Sequence, residues 1–214
     1  MKTTGRVPHV GAAVVVALLL GARPVPAAAA GDHDGCTGFI DEVPVVILTP
    51  GTWCLRSDLA FAVDIAEIAI DVQADGVTID CHDRRLVGKV GAYPLPRWAI
   101  VSYKRATTDG GVVARAGGGG SAWGIQVSDA DGPALANVVG NRIRDVVPDG
   151  PSGIGIRNVS TGPVTIADNV LFGAGAGTGI SCTNTKGAVR GNSVLRFATG
   201  LSGCPSDGGN VVRN

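Results

Sequence analysis

The chain has 214 residues, with 18 basic and 18 acidic side chains and only three histidines. That balance excludes a strongly basic nucleic-acid binder. Hydrophobic residues make up 45% of the chain and aromatics only 4%, so the apolar content is mostly Gly, Ala, Val and Ile, which predicts many short strands joined by frequent turns.

The first thirty residues read as a secretory signal peptide: a basic start (Lys2, Arg6), thirteen apolar residues from Val10 to Ala22, and a small-residue stretch ending at Ala30. The apolar run falls short of the roughly 20 residues that a membrane-spanning helix needs. Cleavage is expected after Ala30, giving a mature chain that is secreted, periplasmic or extracellular, with no membrane partner. Its roughly 184 residues suit one domain. Removing Lys2, Arg6 and Arg23 leaves fifteen basic against eighteen acidic groups, a balance that also argues against nucleic acid. The Ala- and Gly-rich composition and the style of the leader predict a bacterial source.

Residues 31–66 are expected to form an N-terminal lead-in or cap, and 67–214 a stack of short strands. "ILTPGTWCL" (Ile47–Leu55) ends the lead-in, and "AIDVQADGVTIDCHDRRLVG" (Ala69–Gly88) contains three strand-like runs in order. From Gly88 to Trp123 the pattern is irregular, with Trp98 to Tyr103 as the expected strand and Gly117 to Gly120 as a turn. Thereafter a Gly-hydrophobic mark recurs at Gly124-Ile125, Gly153-Ile154, Gly179-Ile180 and Gly200-Leu201. A second mark, Asn followed two places later by an aliphatic residue, recurs in the same order at Asn141, Asn169, Asn192 and Asn210. Period-two alternation over three to five residues between the marks puts one side of each strand inside and the other outside. Gly and Pro interrupt every helical window after residue 86.

The run from Ile68 to Asn210 resembles the right-handed parallel β-helix, or pectin lyase-like, superfamily. Ala69–Gly88 is similar to the opening coil of that group. The resemblance implies an all-β right-handed parallel β-helix, a solenoid of about five to six coils, and an Asn ladder of Asn141, Asn169, Asn192 and Asn210 inside a turn. Asn suits such a turn by tolerating left-handed backbone angles and bonding nearby backbone groups. His82 holds the corresponding place in the first coil. The last coil, "GGNVVRN", carries no polar or helical cap, so self-association through the C-terminal coil is one expected partnership.

Five cysteines lie in the mature part, which fits an oxidising compartment. The expected pairs are Cys36 with Cys54 and Cys182 with Cys204, leaving Cys81 as a buried thiol. The alternative is that either pair stays reduced as small core residues.

Members of the superfamily that act on polysaccharides use an outward groove along the first sheet. Alternation makes Asp71 and Gln73, Val101 and Tyr103, Gln126 and Ser128, Gly155 and Arg157, Ser181 and Thr183, and Ser202 the outward positions here. The binding-groove candidates are Tyr103, Gln126, Ser128, Arg157, Ser181 and Thr183. Candidate catalytic groups are Arg157, Asp71, Asp80, His82 and Asp83. A lyase needs a base beside a charge clamp or calcium carboxylates, and glycoside hydrolysis needs a carboxylate pair across the bond. This row supplies one Arg and one distant acid. In the dense cluster Asp80 to Arg85, an acid with His82 could make an acid/base pair or a weak metal site, but turn capping by Asp80 and solvated charges account for it better. Cys81 points inward by alternation.

The expectation is therefore a secreted β-helix that contacts a glycan or serves as an extracellular structural module, with enzymatic activity left open. The alternative is a lyase or epimerase on uronate polysaccharide. No metal or cofactor is expected, apart from calcium under that alternative, and polysaccharide is the expected partner.

Overall fold

Short runs of alternating aliphatic residues, separated by Gly-, Asn- and Asp-rich corners, leave the chain no room for long elements, and the computed structural model contains strands alone among its described residues. Those residues are 34–61, 68–81, 83–88, 97–102, 106–109, 112–113, 122–129, 132–146, 153–183 and 186–214. The proposed signal peptide, His82, Tyr103 and the 117–120 turn lie outside them.

In chain order the strands are β1 (Gly38–Ile40), β2 (Val45–Ile47), β3 (Gly51–Leu55), β4 (Leu59–Phe61), β5 (Ile68–Val72), β6 (Val77–Asp80) and β7 (Leu86–Gly88). They continue with β8 (Arg97–Ser102), β9 (Ala106–Asp109), β10 (Val112–Val113), β11 (Ala122–Val127), β12 (Ala136–Val139), β13 (Arg142–Val146) and β14 (Gly153–Asn158). The last are β15 (Val164–Ala167), β16 (Val170–Gly173), β17 (Thr178–Cys182), β18 (Gly187–Arg190), β19 (Ser193–Leu195), β20 (Thr199–Ser202) and β21 (Val211–Arg213).

Each strand pairs in parallel with its counterpart one turn later, three strands on except for β1 with β3 and β19 with β21, which makes the molecule a parallel β-solenoid. A first sheet runs β2-β5-β8-β11-β14-β17-β20 and a second runs β1-β3-β6-β9-β12-β15-β18. The third wall is split into a three-stranded sheet β10-β7-β4 and a four-stranded sheet β13-β16-β19-β21. The coil count departs from the expected five to six: the regular repeat that includes the four-stranded wall makes about four turns. The described part of 31–66 supplies β1 to β4 to these same sheets.

The core is a column of like residues. Ile70, Ile100, Ile125, Ile156 and Ile180 occupy one register row of the first sheet, each fully buried. Val138, Ile166 and Val189 face them from the second sheet, and Ile143, Leu171 and Val194 from the third. Burying an aliphatic side chain of this size is worth about 1.5–3 kcal/mol, so each coil is stabilised by the coils above and below it.

Beside the isoleucine row runs a row of small residues: Ala69, Ala99, Gly124, Gly155, Gly179 and Gly200. They face inward toward the third wall, where no space is left. A Cβ on Gly124 would sit 2.5 Å from the Gly155 carbonyl oxygen and 3.1 Å from Ile143 Cγ2, and one on Gly155 would sit 2.5 Å from Leu171 Cδ2. Two consecutive residues per strand therefore face the core. This corrects two expectations. Gly155 is internal, and the Gly-hydrophobic mark equivalent to Gly124-Ile125 is Gly155-Ile156, since Ile125 pairs with Ile156.

At the next corner, the Asn141 backbone N–H and Nδ2 both donate to Asn169 Oδ1, at 2.9 and 3.0 Å. Asn169 makes the same pair of bonds to Asn192 Oδ1, and Asn192 to Asn210 Oδ1. The Nδ2 groups of Asn169, Asn192 and Asn210 also donate to the carbonyls of Val138, Ile166 and Val189. The asparagines are not the left-handed residues: that conformation falls on the residue before each one, Gly140 (φ 71°), Asp168 (φ 56°), Gly191 (φ 65°) and Gly209 (φ 68°). Reversing the chain there aims each Asn amide along the stack.

Two disulfides join Cys36 to Cys54 and Cys182 to Cys204, with Cα–Cα distances of 5.9 and 4.9 Å, and Cys81 is a buried thiol outside both disulfides.

Candidate functional site

On the outer surface of the first sheet, register sets two rows. Asp71, Val101, Gln126, Arg157, Ser181 and Ser202 form one. Ile68, Trp98, Trp123, Ile154, Thr178 and Thr199 form the other. Both rows point outward because their strand neighbours, including Ile125, Val127, Ile156 and Asn158, are buried.

At the middle of these rows four side chains interlock. The rings of Trp98 and Trp123 lie with centroids 4.6 Å apart at an interplanar angle of 47°. Gln126 Oε1 accepts from Trp98 Nε1 at 3.0 Å and from Arg157 Nη1 at 2.8 Å. The Arg157 guanidinium carbon lies 4.9 Å from the Trp123 ring centroid. An arginine over an indole is worth about 0.5–1 kcal/mol when exposed and about 2 when desolvated. Gln126 is only 7% exposed although it sits on the outer surface. It acts as the buried hinge between the two tryptophans and the arginine.

One polar atom of this cluster is unsatisfied. The Trp123 Nε1–H is buried, and among the described residues none supplies it with an acceptor. Such a group costs about 1–3 kcal/mol until an oxygen reaches it. Further along the row Asp71 Oδ2 accepts from Gln73 Nε2 at 2.7 Å, while its buried Oδ1 has no donor among the described residues.

The remaining candidates are dispersed. Ser181 follows Arg157 in the row and is half-buried. Ser128 donates its backbone N–H to Ser102 at 2.8 Å, and Thr183 donates its own to Asn158 at 2.9 Å. Asp80 ends β6 in the second sheet, so it does not share a surface with Arg157. Asp83 is exposed with φ 59°. Arg85 is committed to Asp58 through bonds of 2.9 Å from Nε and 2.6 Å from Nη2. Among the described residues, no three His, Cys, Asp or Glu side chains converge as a metal-ligand set.

Sequence reasoning missed both tryptophans because strict alternation places Trp98 on the side of Ile100 and Trp123 on the side of Ile125, whereas two consecutive residues of each strand face the core. Each one stands immediately before a small-residue–Ile pair, Ala99-Ile100 and Gly124-Ile125, and that position is outward throughout the sheet. Comparison with protein-family models, with curated proteins and with solved structures finds no match.

Proposed function

We propose that this chain is an exported, right-handed β-helix of the pectin lyase-like kind that holds a glycan against the outer surface of its first sheet, as a binding or extracellular structural module. The observation that carries the reading is the Trp98–Trp123 pair, clamped by Gln126 and Arg157, with the Trp123 indole N–H lacking an acceptor. An indole offers an apolar body to the C–H side of a sugar ring and a polar tip to its hydroxyls. Arg157 supplies donors next to it. Two disulfides suit a chain that works in an oxidising compartment.

Isothermal calorimetry of the purified mature chain against a panel of neutral and uronate oligosaccharides tests this. A saturable binding heat is expected for at least one of them, weakened about tenfold in Trp123→Ala, the equivalent of one buried hydrogen bond and its stacking. No heat from any glycan, or the same affinity in a folded Trp123→Ala, overturns the reading.

The alternative, a uronate lyase or epimerase, draws on Arg157 being the arginine of the outer row. Asp71 stands three strands from it, roughly 14 Å at about 4.8 Å per strand. Unsaturated uronate released by the pure chain and abolished in Arg157→Ala would favour this alternative.

A further inference from the structure

The two ends of the solenoid are both apolar and carry opposite charge. At the C-terminal end the core column stops at β21: Val212 follows Ile143, Leu171 and Val194 in register, and it is 42% exposed where those three are 1% exposed or less. Val211 beside it is exposed as well. The asparagine ladder stops there too. Each earlier rung gives its backbone N–H to the Oδ1 of the next asparagine, whereas among the described residues none accepts from the Asn210 N–H.

At the opposite end β1, β2 and β4 are the outermost strands of their sheets, and Phe39, Val46 and Leu48 are exposed, Leu48 by 67%. Five of the eight large apolar side chains left exposed among the described residues thus lie on the first and last coils, which marks the ends rather than the walls as the sticky surfaces. After β1 the chain turns at Asp41 and Glu42, at the corner between the second sheet and the third wall that Asn210 holds at the other end. Asp41 pairs with Arg56 one coil on, and Glu42 is exposed. Residues 34–61 hold four acidic side chains and one basic, and residues 186–214 hold one and four.

We infer that the chain binds a second copy of itself head to tail, the last coil of one molecule seated on the first coil of the next. Strand neighbours are parallel up to both ends, and only this arrangement carries the same pairing across the junction. Two C-terminal ends meeting about a two-fold axis would run antiparallel and set four basic side chains against four, which like-charge repulsion opposes. Head-to-tail stacking instead sets the basic coil on the acidic one. It covers Val211 and Val212, and it brings the Asp41–Glu42 corner over the Asn210 N–H, a donor that is costly to leave unpaired once buried. An open strand edge is itself a template for a further strand. A contact of this kind does not close on two molecules, so association builds open chains. The inference is independent of the first-sheet cluster, whose outer surface the stacking leaves open.

The test uses light scattering on the purified mature chain and on two variants, each blocked at one end. Glu42→Lys with Leu48→Lys blocks the first coil, and Val212→Glu with Arg213→Glu blocks the last; Arg213→Glu alone takes the place of the latter if circular dichroism shows that it does not fold. Wild type is expected to exceed the monomer mass, increasingly so as its concentration rises. Each variant alone is expected to stay monomeric. An equimolar mixture of the two, in which one intact last coil meets one intact first coil, is expected to give a dimer and nothing larger. A wild type that is monomeric at every concentration, a mixture that stays monomeric, or a folded variant that still associates on its own each overturns the proposal.

Discussion

Arg157 places its guanidinium carbon 4.9 Å from the centre of the Trp123 ring, one strand away on the first sheet, while its Nη1 holds the Gln126 side chain. Replacing Arg157 by Ala removes both contacts and leaves Gln126 with Trp98 alone. A loss of about 1–2 kcal/mol in unfolding free energy is expected from one cation–π contact and one hydrogen bond from a charged donor. Denaturant titration measures it, and an unchanged midpoint would show that the guanidinium is not held there.

Asn169 is the middle rung of the buried ladder. Asn169→Ala removes three bonds at once, those it accepts from the Asn141 N–H and Nδ2 and the one it donates to the Val138 carbonyl, and about 3 kcal/mol of destabilisation is expected from their loss. Asn210→Ala, at the less buried end, should cost about 1 kcal/mol. Equal losses at the two positions would contradict the ladder.

Gly179→Ala puts a methyl group against Val194 Cγ1 and 2.8 Å from the Gly200 carbonyl oxygen. Overpacking of this kind costs about 1–3 kcal/mol, and the crowding here belongs at the upper end. Gly175→Ala meets no atom within 4 Å, so only the left-handed backbone opposes it, at about 1 kcal/mol. Thermal melting of the pair ranks them, with Gly179→Ala expected to melt first.

Asp129 ties the corner after β11 to the one after β14. Burial alone would raise its pKa, but the Ser160 and Thr161 side chains and the backbone N–H groups of Ala134 and Thr161 outweigh that and hold the carboxyl well below the usual range. A depressed folded-state pKa contributes stability that is fully present above the unfolded value of about 3.9 and is lost as pH falls below it. Wild type should therefore exceed Asp129→Ala by a constant margin from pH 5 to 7, about the usual working range, and the margin should shrink in stronger acid. A margin that grows on acidification would reverse the sign of this assignment.

Much of the fold was legible because isoleucine, glycine and asparagine each recur for a separate physical reason. Isoleucine fills the column, glycine leaves room for the third wall, and asparagine bonds along the stack. Cysteine pairing was legible too, since Cys36 and Cys54, and Cys182 and Cys204, fall on neighbouring strands or corners once the stack forms. Phase was harder. Gly153 and Gly155 are both followed by isoleucine, and only the third wall, through Leu171, decides which glycine is internal. That choice governs what is outside on β14, which is why Ile154 escaped notice, while the two tryptophans did so because the doubled inward pair breaks strict alternation.

The asparagine ladder also gives the solenoid a direction. Each rung sends two donors toward the next coil and one back to the preceding coil, as Asn169 does to Asn192 and Val138. Orphaned donors are costlier than under-used carbonyls, so peeling a coil from the C-terminal side hurts its neighbour more than peeling one from the opposite side. Within the rungs from Asn141 to Asn210 the stack behaves as a ratchet, each later coil locking the donors of the one before it.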